Sequence, residues 1–551
     1  MKPSNSKGAC VRTRIQGCLS KATYAKRFPN VGNMNKAFYI TTPIYYVTDK
    51  PHIGHLYTTL AADIMARYER MLGKEVRFLT GTDEHGQKIE KKAKETGETP
   101  QHLADRVVER YREAWKRYGV EYDDFIRTTE ERHKKVVQEY VARLLKTGDM
   151  YLGSYEGWYC VPDEAYWSES QLVDGKCPDC GRVVERLQEE SYFFKLSAYV
   201  PRLIEHIQKN PDFIQPESRK NEVLGFLKLD VRDISASRTT IRWGIPFPSD
   251  GKATKSHTVY VWFDALTNYL SALSPLENSA DYKTYWASAV HLVGKDILRF
   301  HAVYWPAFLM ALGLPLPKRI VAHGWLTDAN RKISKSTGNV IDPLELADEV
   351  GVDGMRYFLF REFIFGQDGE YTKQILVNRI NADLANDYGN CISRVVNMIL
   401  KYFGEGAVEM KTALAKTSPL KEASATRPAE FHAAMADFHY EKALEAAWKI
   451  VGETNRYIES SAPWALAKSE KPEDREKLKD VLLHCHEALR ISSFLALPFI
   501  PTSAAKALAI LGVEGATSER PLDLAQWGKG PASVTLTKPA PLFPRIDWKP
   551  E

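Results

Sequence analysis

Thr41-Thr42-Pro43-Ile44-Tyr45-Tyr46-Val47-Thr48-Asp49-Lys50-Pro51-His52-Ile53-Gly54-His55 is the stretch whose reading decides the fold. The apolar run before it, 37–40, reads as a β-strand, and the run after it, 56–72, carries apolar residues at helical spacing. The His-Ile-Gly-His tetrad is therefore expected on the first turn of a helix that leaves a strand. Unpaired backbone N–H groups and the helix dipole make that place a phosphate site. His52 and His55 are three apart and share a face. Gly54 between them has no side chain, so a flat base could lie close to the backbone. Taken alone, such a pair also describes two ordinary surface histidines at a helix start, so the rest of the chain has to decide.

The chain has 551 residues, of which 44% are hydrophobic and 26% charged. That is globular composition with material for several domains. Lys and Arg number 75 against 70 Asp and Glu, a formal net charge of +5. A nucleic-acid partner is not demanded by this balance and would need a local basic face. The seven cysteines, at 10, 18, 160, 177, 180, 391 and 485, are odd in number and irregular in spacing. A disulfide framework is excluded, and a reducing compartment is expected. No run approaches the roughly 18 apolar residues of a membrane span.

Strand–helix alternation continues from the opening stretch. A second strand, 76–81, runs into Thr82-Asp83-Glu84-His85-Gly86, and helical stretches follow at about 87–118 and 130–147. Residues 149–200 change texture, becoming rich in Tyr, Trp and Gly, and 152–240 reads as an insertion. The alternation returns at Val259-Tyr260-Val261-Trp262-Phe263-Asp264, then at 289–293 and 319–323. Such alternation predicts an α/β fold with a Rossmann-like parallel sheet and a site at the carboxyl ends of its strands. After about residue 375 helical patterns dominate, as in 383–401 and 440–460, and predict a separate all-α domain. Residues 406–428 read as a loop, and 532–543 as an extended, Pro-rich strap packed on the body.

A second chemical stretch is Arg331-Lys332-Ile333-Ser334-Lys335-Ser336-Thr337-Gly338-Asn339. Two lysines three apart in a loop can meet charge that develops on a phosphate, since each ammonium offers three donors on a flexible stem. A Lys-rich loop by itself is more often a solvated surface. Here it follows a strand, about 280 residues after the histidine tetrad, in a nucleotide-binding type of fold.

His-Ile-Gly-His after the first strand and Lys-Ile-Ser-Lys-Ser after the last resemble the paired motifs of class I aminoacyl-tRNA synthetases. Thr41 to His55, Gly81-Thr82-Asp83-Glu84-His85-Gly86, Val261-Trp262-Phe263-Asp264-Ala265 and Gly294-Lys295-Asp296-Ile297 are similar to the methionyl-tRNA synthetase family. So are Phe300-His301, Gly324-Trp325, Asn455-Arg456-Tyr457 and Ala462-Pro463-Trp464, and the resemblance covers 36 to about 500. It implies activation of methionine by ATP and Mg²⁺ to methionyl-adenylate, then transfer to the terminal ribose of initiator and elongator methionine tRNA. It implies a catalytic domain split into 34–151 and 241–330 by the connective insertion 152–240 with a knuckle. A lysine loop and stem-contact region at 331–375 and a helical anticodon-binding domain at 376–551 follow.

The resemblance places roles residue by residue. His52, His55, Lys332 and Lys335 would be catalytic, with Lys335 the stronger of the two lysines. His52, Gly54, His55, Lys295, Asp296, His323, Gly324, Trp325 and Lys335 would bind ATP. Asp83 would hold the α-ammonium of methionine, and Ile44, Tyr46, Trp262, Ala265, Tyr269, Ile297, Phe300 and His301 would wall the thioether chain. A soft sulfur packs well against aromatic edges. Asn390, Arg394 and Trp464 would read the anticodon by stacking and edge hydrogen bonds. Cys160, Asp163, Cys177 and Cys180 keep the spacing of the family's zinc knuckle with Asp163 at one ligand position. A Cys₃Asp zinc site and a metal-free knuckle both stay open.

The roughly ninety residues of 152–240 are too few for the editing domain of the isoleucine, valine and leucine enzymes, which favours methionine on size. Two alternatives stand beside this reading. One is another class I synthetase, such as the cysteine enzyme, whose pocket thiols are missing from the pocket strands here. The other is a non-catalytic tRNA-binding paralogue, which would be expected to lose the lysine loop or the histidines. A monomer is expected. Residues 1–33 carry seven Lys or Arg and no Asp or Glu, which fits either an organellar transit peptide or a start assigned upstream of Met34. Mass spectrometry of the mature N-terminus decides this: a start at Met34 is the cytoplasmic outcome, and cleavage within 1–33 the organellar one.

Overall fold

Ala37–Tyr46 (β1) is buried along most of its length, with no alternation between wet and dry faces. That is the mark of an interior parallel strand. The computed structural model describes residues 36–161, 165–167, 169–178, 180–229, 231–328, 331–333, 341–513, 515 and 522–548. With Glu75–Asp83 (β2), Asp124–Arg127 (β3), Ile214–Gln215 (β4), Val290–Gly294 (β5) and Arg319–His323 (β6), β1 builds a six-stranded sheet. The order across it is β3-β2-β1-β5-β6-β4, and every pairing is parallel. Pro43 brings no N–H to the ladder, and the register of β1 on β2 shifts between Thr41 and Ile44. Thr42 and Thr80 bridge the two strands there by a 2.8 Å hydroxyl hydrogen bond.

Successive residues of each strand feed opposite cores, as the period of two requires. Phe38, Ile40, Phe78, Leu292 and Val321 pack on one face, with Ile53–Met71 (α1) and Pro100–Arg117 (α2). Tyr39, Leu79, Val293 and Ile320 pack on the other, with Glu131–Thr147 (α3) and Val261–Ser271 (α4). Between β1 and β5 the strand order reverses. The crevice at the carboxyl ends of these two strands is where such sheets bind ligands.

Three expectations need correction. Val259 to Asp264 is not a strand: Thr258–Val259 is a two-residue strand, and α4 begins at Val261. Every residue of α4 is buried, so it carries no polar stripe to reveal its period, and its aromatic residues mimic strand propensity. Residues 152–240 are not one insertion. Met150–Cys160, Ala165–Trp167, Glu185–Phe194 and Ile234–Ser235 form their own four-stranded sheet. Between them, however, β4 rejoins the main sheet beside β6. The stretch 406–428 is not a loop. It holds the strand Ala407–Glu409, paired antiparallel with Ser533–Thr535, the helix Lys411–Ala415 and the start of a long helix at Pro419.

Beyond the sheet, Val352–Glu362 (α5), Asn390–Phe403 (α6), Pro419–Ala436 (α7), Tyr440–Ser461 (α8) and Pro472–Ala496 (α9) pack into one helical body. Ser418 caps α7 by accepting from the Leu420 and Lys421 amides, and proline at the first helical position suits that start. The strap is extended and packed, as read from the sequence: Leu542 and Phe543 lie on the core, and Asn381 exchanges two hydrogen bonds with the Ile546 backbone. Among the described residues no helix is long and apolar enough to cross a membrane.

Candidate active site

The turn after β1 places His52 as the N-cap of α1 and His55 at its third position. The Gly54 amide donates to Nδ1 of His52 at 3.0 Å, and the His52 amide donates to Nδ1 of His55 at 3.4 Å. A backbone N–H can only donate, so both Nδ1 atoms accept and the ring hydrogen of each neutral imidazole sits on Nε2. The rings stack with centroids 3.8 Å apart. A Cβ at Gly54 would lie 2.9 Å from Cε1 of His52, so the glycine is what lets that ring lie against the helix start.

One cleft of about 1290 Å³ opens at this turn. Ile44, Tyr46, Asp83, Trp262, Ala265, Tyr269, Ile297, Phe300 and His301 all line it, and so do His52, Gly54, His55, Lys295, Asp296, His323, Gly324 and Trp325. These come from the carboxyl ends of β1, β2, β5 and β6, from α1 and α4, and from the segment after β5. Lys335 and Asp163 lie outside the described residues. Lys332 falls on the short strand Arg331–Lys332, paired antiparallel with Leu326–Asp328.

The apolar end of the cleft is built on neutral histidines. Nδ1–H of His301 donates to the Ile297 carbonyl at 2.9 Å, so its Nε2 accepts the Tyr269 hydroxyl at 2.7 Å. Beneath it, Trp305 donates its indole N–H to Nε2 of His291, whose Nδ1–H then reaches Thr41 Oγ1 at 2.8 Å. Tyr269 stacks on His291 at 4.1 Å, and Trp262 stacks on Phe300 at 3.6 Å. Burial pushes the His301 imidazole down to about 4 and that of His291 well below its ordinary range. Asp83, 3% exposed, closes this end as the last residue of β2.

At the other end, Gly294 and His323 are register partners on β5 and β6. Lys295 lies 3.9 Å over the Trp325 ring and is held by Asp368 at 2.6 Å. Asp368 also accepts the Trp325 amide, and the Trp325 indole donates to Asp296. Gly324 runs so close to the next segment that a Cβ would sit 2.1 Å from the Gln367 carbonyl oxygen. Sequence reasoning missed Asp368, because its importance comes only from folding back across the ends of β5 and β6. Pro178, Cys180 and Arg182 of the knuckle reach the cleft as well.

Cys160, Cys177 and Cys180 bring their sulfurs within 4.8 Å of one another, with Cys160 and Cys180 at 3.5 Å. A tetrahedral zinc about 2.3 Å from each thiolate spaces its sulfurs by about 3.8 Å, so the three thiols fit one ion. Far from the cleft in sequence, Arg394 lies over the Trp464 ring at 5.4 Å and pairs with Glu459. Trp464 is 39% exposed rather than core, and Asn390 is exposed one turn before Arg394 on α6.

Residues 38–186 and 181–396 match the family model for tRNA synthetases class I (M), and 409–549 match that for the anticodon binding domain of methionyl tRNA ligase. The methionine–tRNA ligase of Caldanaerobacter subterraneus subsp. tengcongensis is 49% identical over 520 residues, covering 94% of this chain and 80% of that protein. The Bacillus subtilis methionine–tRNA ligase is 46% identical over 531 residues, covering 94% and 79%. The crystal structure of Mycobacterium tuberculosis methionyl-tRNA synthetase bound by methionyl-adenylate superimposes with a TM-score of 0.85 at 40% identity. The match covers 92% of this chain and 100% of that one.

The buried histidines fix a pH dependence. His301, His432 and His486 are each held down to about 4, whereas an unfolded chain binds these protons near pH 6.5. Between those values the unfolded state carries more protons, so stability falls as pH drops from about 6.5 toward about 4. The urea midpoint is expected to be lower at pH 5 than at pH 7, and the His301 Cε1–H resonance to stay unshifted between pH 6 and 8. A His301 resonance titrating in that upper range would contradict the neutral pocket.

Proposed function

The chain belongs to the methionyl-tRNA synthetase family, the class I enzymes that join methionine to tRNA at the expense of ATP, and from that premise we propose how its residues divide the work. In the first step the methionine carboxylate attacks the α-phosphate of ATP in line, forming methionyl-adenylate and releasing pyrophosphate. In the second, a ribose hydroxyl at the 3′ end of the tRNA attacks the methionyl carbonyl and AMP leaves. Neither half calls for strong acid–base chemistry; positioning and charge neutralisation carry the rate.

Asp83 pairs with the α-ammonium of methionine. Ile44, Tyr46, Trp262, Ala265, Tyr269, Ile297, Phe300 and His301 enclose its side chain. The carrying observation is that these residues share one cleft with the phosphate-side histidines while His301 spends both ring nitrogens on Ile297 and Tyr269. His301 has no ring N–H left to reward a polar side chain, and a charged one would be desolvated without a partner there. Thioether and aromatic edges suit each other.

His52 and His55 offer their Nε2 hydrogens to the phosphates. Lys332 and Lys335 meet the leaving pyrophosphate, with Lys335 carrying the larger share. Lys295, Asp296, His323, Gly324 and Trp325 hold the adenosine, and Mg²⁺ arrives with the triphosphate as part of the substrate. Asn390, Arg394 and Trp464 read the anticodon of initiator and elongator methionine tRNA: an exposed indole under a guanidinium is a stacking platform for an unstacked base. Zinc, held by Cys160, Cys177 and Cys180, with Asp163 as the candidate fourth ligand, ties the knuckle together. The protein works as a monomer in the cytoplasm.

Methionine-dependent exchange of pyrophosphate into ATP tests the reaction. Lys335→Ala is expected to lower its kcat by about 100-fold or more. Absence of exchange in intact protein rejects the ligase reading, and an unchanged Lys335→Ala rejects the lysine's role. Elemental analysis is expected to find about one zinc per chain after metal-replete expression, lost in Cys177→Ser; less than about 0.2 equivalents in the parent rejects the zinc site.

A further inference from the structure

Asp264 is a carboxylate sealed in the interior at 0% exposure, and the roles above leave it unused. Its two oxygens go to two different elements. Oδ2 accepts from Nδ1 of His85 and Oδ1 from Nε2 of His133, both at 2.7 Å. His85 stands two residues after Asp83, in the turn that ends β2. His133 stands on α3, and its other nitrogen meets the Ser271 hydroxyl at 2.8 Å. Ser271 lies two turns beyond Asp264 on α4, so His133 clasps α4 at two points. The His85 turn is braced in its own right: the Trp243 ring meets it edge-on at 5.5 Å, and the Gly86 amide donates to the Trp243 carbonyl.

The helix held in this way carries Trp262, Ala265 and Tyr269. The turn it is held to carries Asp83. These two halves of the methionine site are about 180 residues apart in the chain, and the His85–Asp264 bond spans that gap directly. One oxygen of this buried carboxylate fixes α4 to the turn after β2, and the other fixes α4 to α3. Hydrogen bonds to an ionised group are the stronger, more directional kind.

We propose that Asp264, acting through His85 and His133, is the positioning residue that sets the distance between the α-ammonium anchor and the thioether pocket, and so selects side-chain length. This rests on the assignment of Asp83, Trp262, Ala265 and Tyr269 to methionine. It adds a substrate-measuring device that no residue contacting methionine supplies by itself. Loosening the bond lets α4 drift relative to Asp83, which misplaces methionine while leaving the adenosine side, built on β5 and β6, in place. Misplacement by about 1 Å is enough to cost a large factor in turnover of the affected substrate.

The test uses the full chain in the pyrophosphate exchange assay with methionine and with its S-ethyl homologue, one methylene longer. Asp264→Asn and His85→Ala are expected to raise KM for methionine about tenfold, with KM for ATP within about twofold of the parent. The preference in kcat/KM for methionine over the S-ethyl homologue is expected to fall about fivefold or more. His85→Asn, which keeps an N–H donor near Nδ1, is expected to recover most of both losses. If Asp264→Asn does not fold, the His85 pair decides alone, with thermal unfolding followed by circular dichroism for each. Equal effects of His85→Ala and His85→Asn, an unchanged preference between the two amino acids, or parallel losses for methionine and ATP overturn the proposal. Asp83→Asn is the reference for the underlying assignment: if it leaves KM for methionine unchanged, the pocket reading itself fails, whatever the Asp264 variants do.

Discussion

Asp63 and Arg356 meet at 2.7 Å with neither side chain exposed, and the seat of α1 depends on that contact. Burial alone would raise the Asp63 carboxyl, but Arg356 and Arg67 hold it below the usual carboxylate range. Asp63 also accepts the Glu121 amide. The guanidinium of Arg356 also donates to the carbonyls of Tyr118, Pro498 and Phe499. One arginine on α5 thus joins the helix that presents His52 and His55, the end of α2, and the turn after α9. A buried, hydrogen-bonded pair of this kind adds little net stability, yet removing one partner costs roughly 3–5 kcal/mol because the other charge is left stranded. Here the pair ties α1 to α5 and, through Arg356, to the end of α2 and the turn after α9.

The same economy governs the cleft. Both ring nitrogens of His301 and His291, and the Nδ1 atoms of His52 and His55, are engaged before any substrate arrives. The backbone of the α1 cap fixes the tautomers of His52 and His55, Ile297 and Tyr269 fix that of His301, and Thr41 and Trp305 fix that of His291. In the roles proposed above, groups held in this way need no reorganisation as charge develops, which is how a rigid site lowers a barrier. Methionine itself has a single strong handle at its ammonium and a featureless side chain. With the pocket assigned as proposed above, the fit of the side chain against its aromatic walls carries the selection.

The opening of the fold was legible because strand, turn and helix each wrote their own signature between Ala37 and Met71. The residues that converge on the cleft were legible through resemblance, whereas composition and periodicity pointed only to the sheet's carboxyl edge. What stayed hidden did so for physical reasons. Helix α4 is surrounded by protein on every side, so its aromatic run resembles a strand. Helix α7 spreads its apolar residues around its axis and carries Pro428 inside, which erases its period. Strand β4 is two residues long and declares itself only by pairing with β6. Asp264, His133 and Asp368 are ordinary polar residues in the sequence. They gain meaning from neighbours tens to hundreds of residues away.

The strand order has a consequence for how the chain is made. Ile40 and Thr41 pair on one side with Phe78 and Leu79, but on the other with Val290 and His291. A nascent chain leaves the ribosome with its N-terminal parts first, so β1 and β2 are available long before β5 exists. Until β5 is made, the flank of β1 that will become the centre of the sheet is an open edge of unpaired backbone groups, the kind of surface on which strands from other chains dock. The histidine turn therefore acquires its final shape late, once the second half of the sheet closes over that edge. The interval between synthesis of β1 and synthesis of β5 is thus the period in which this edge is open to other chains, and a longer interval means a longer exposure.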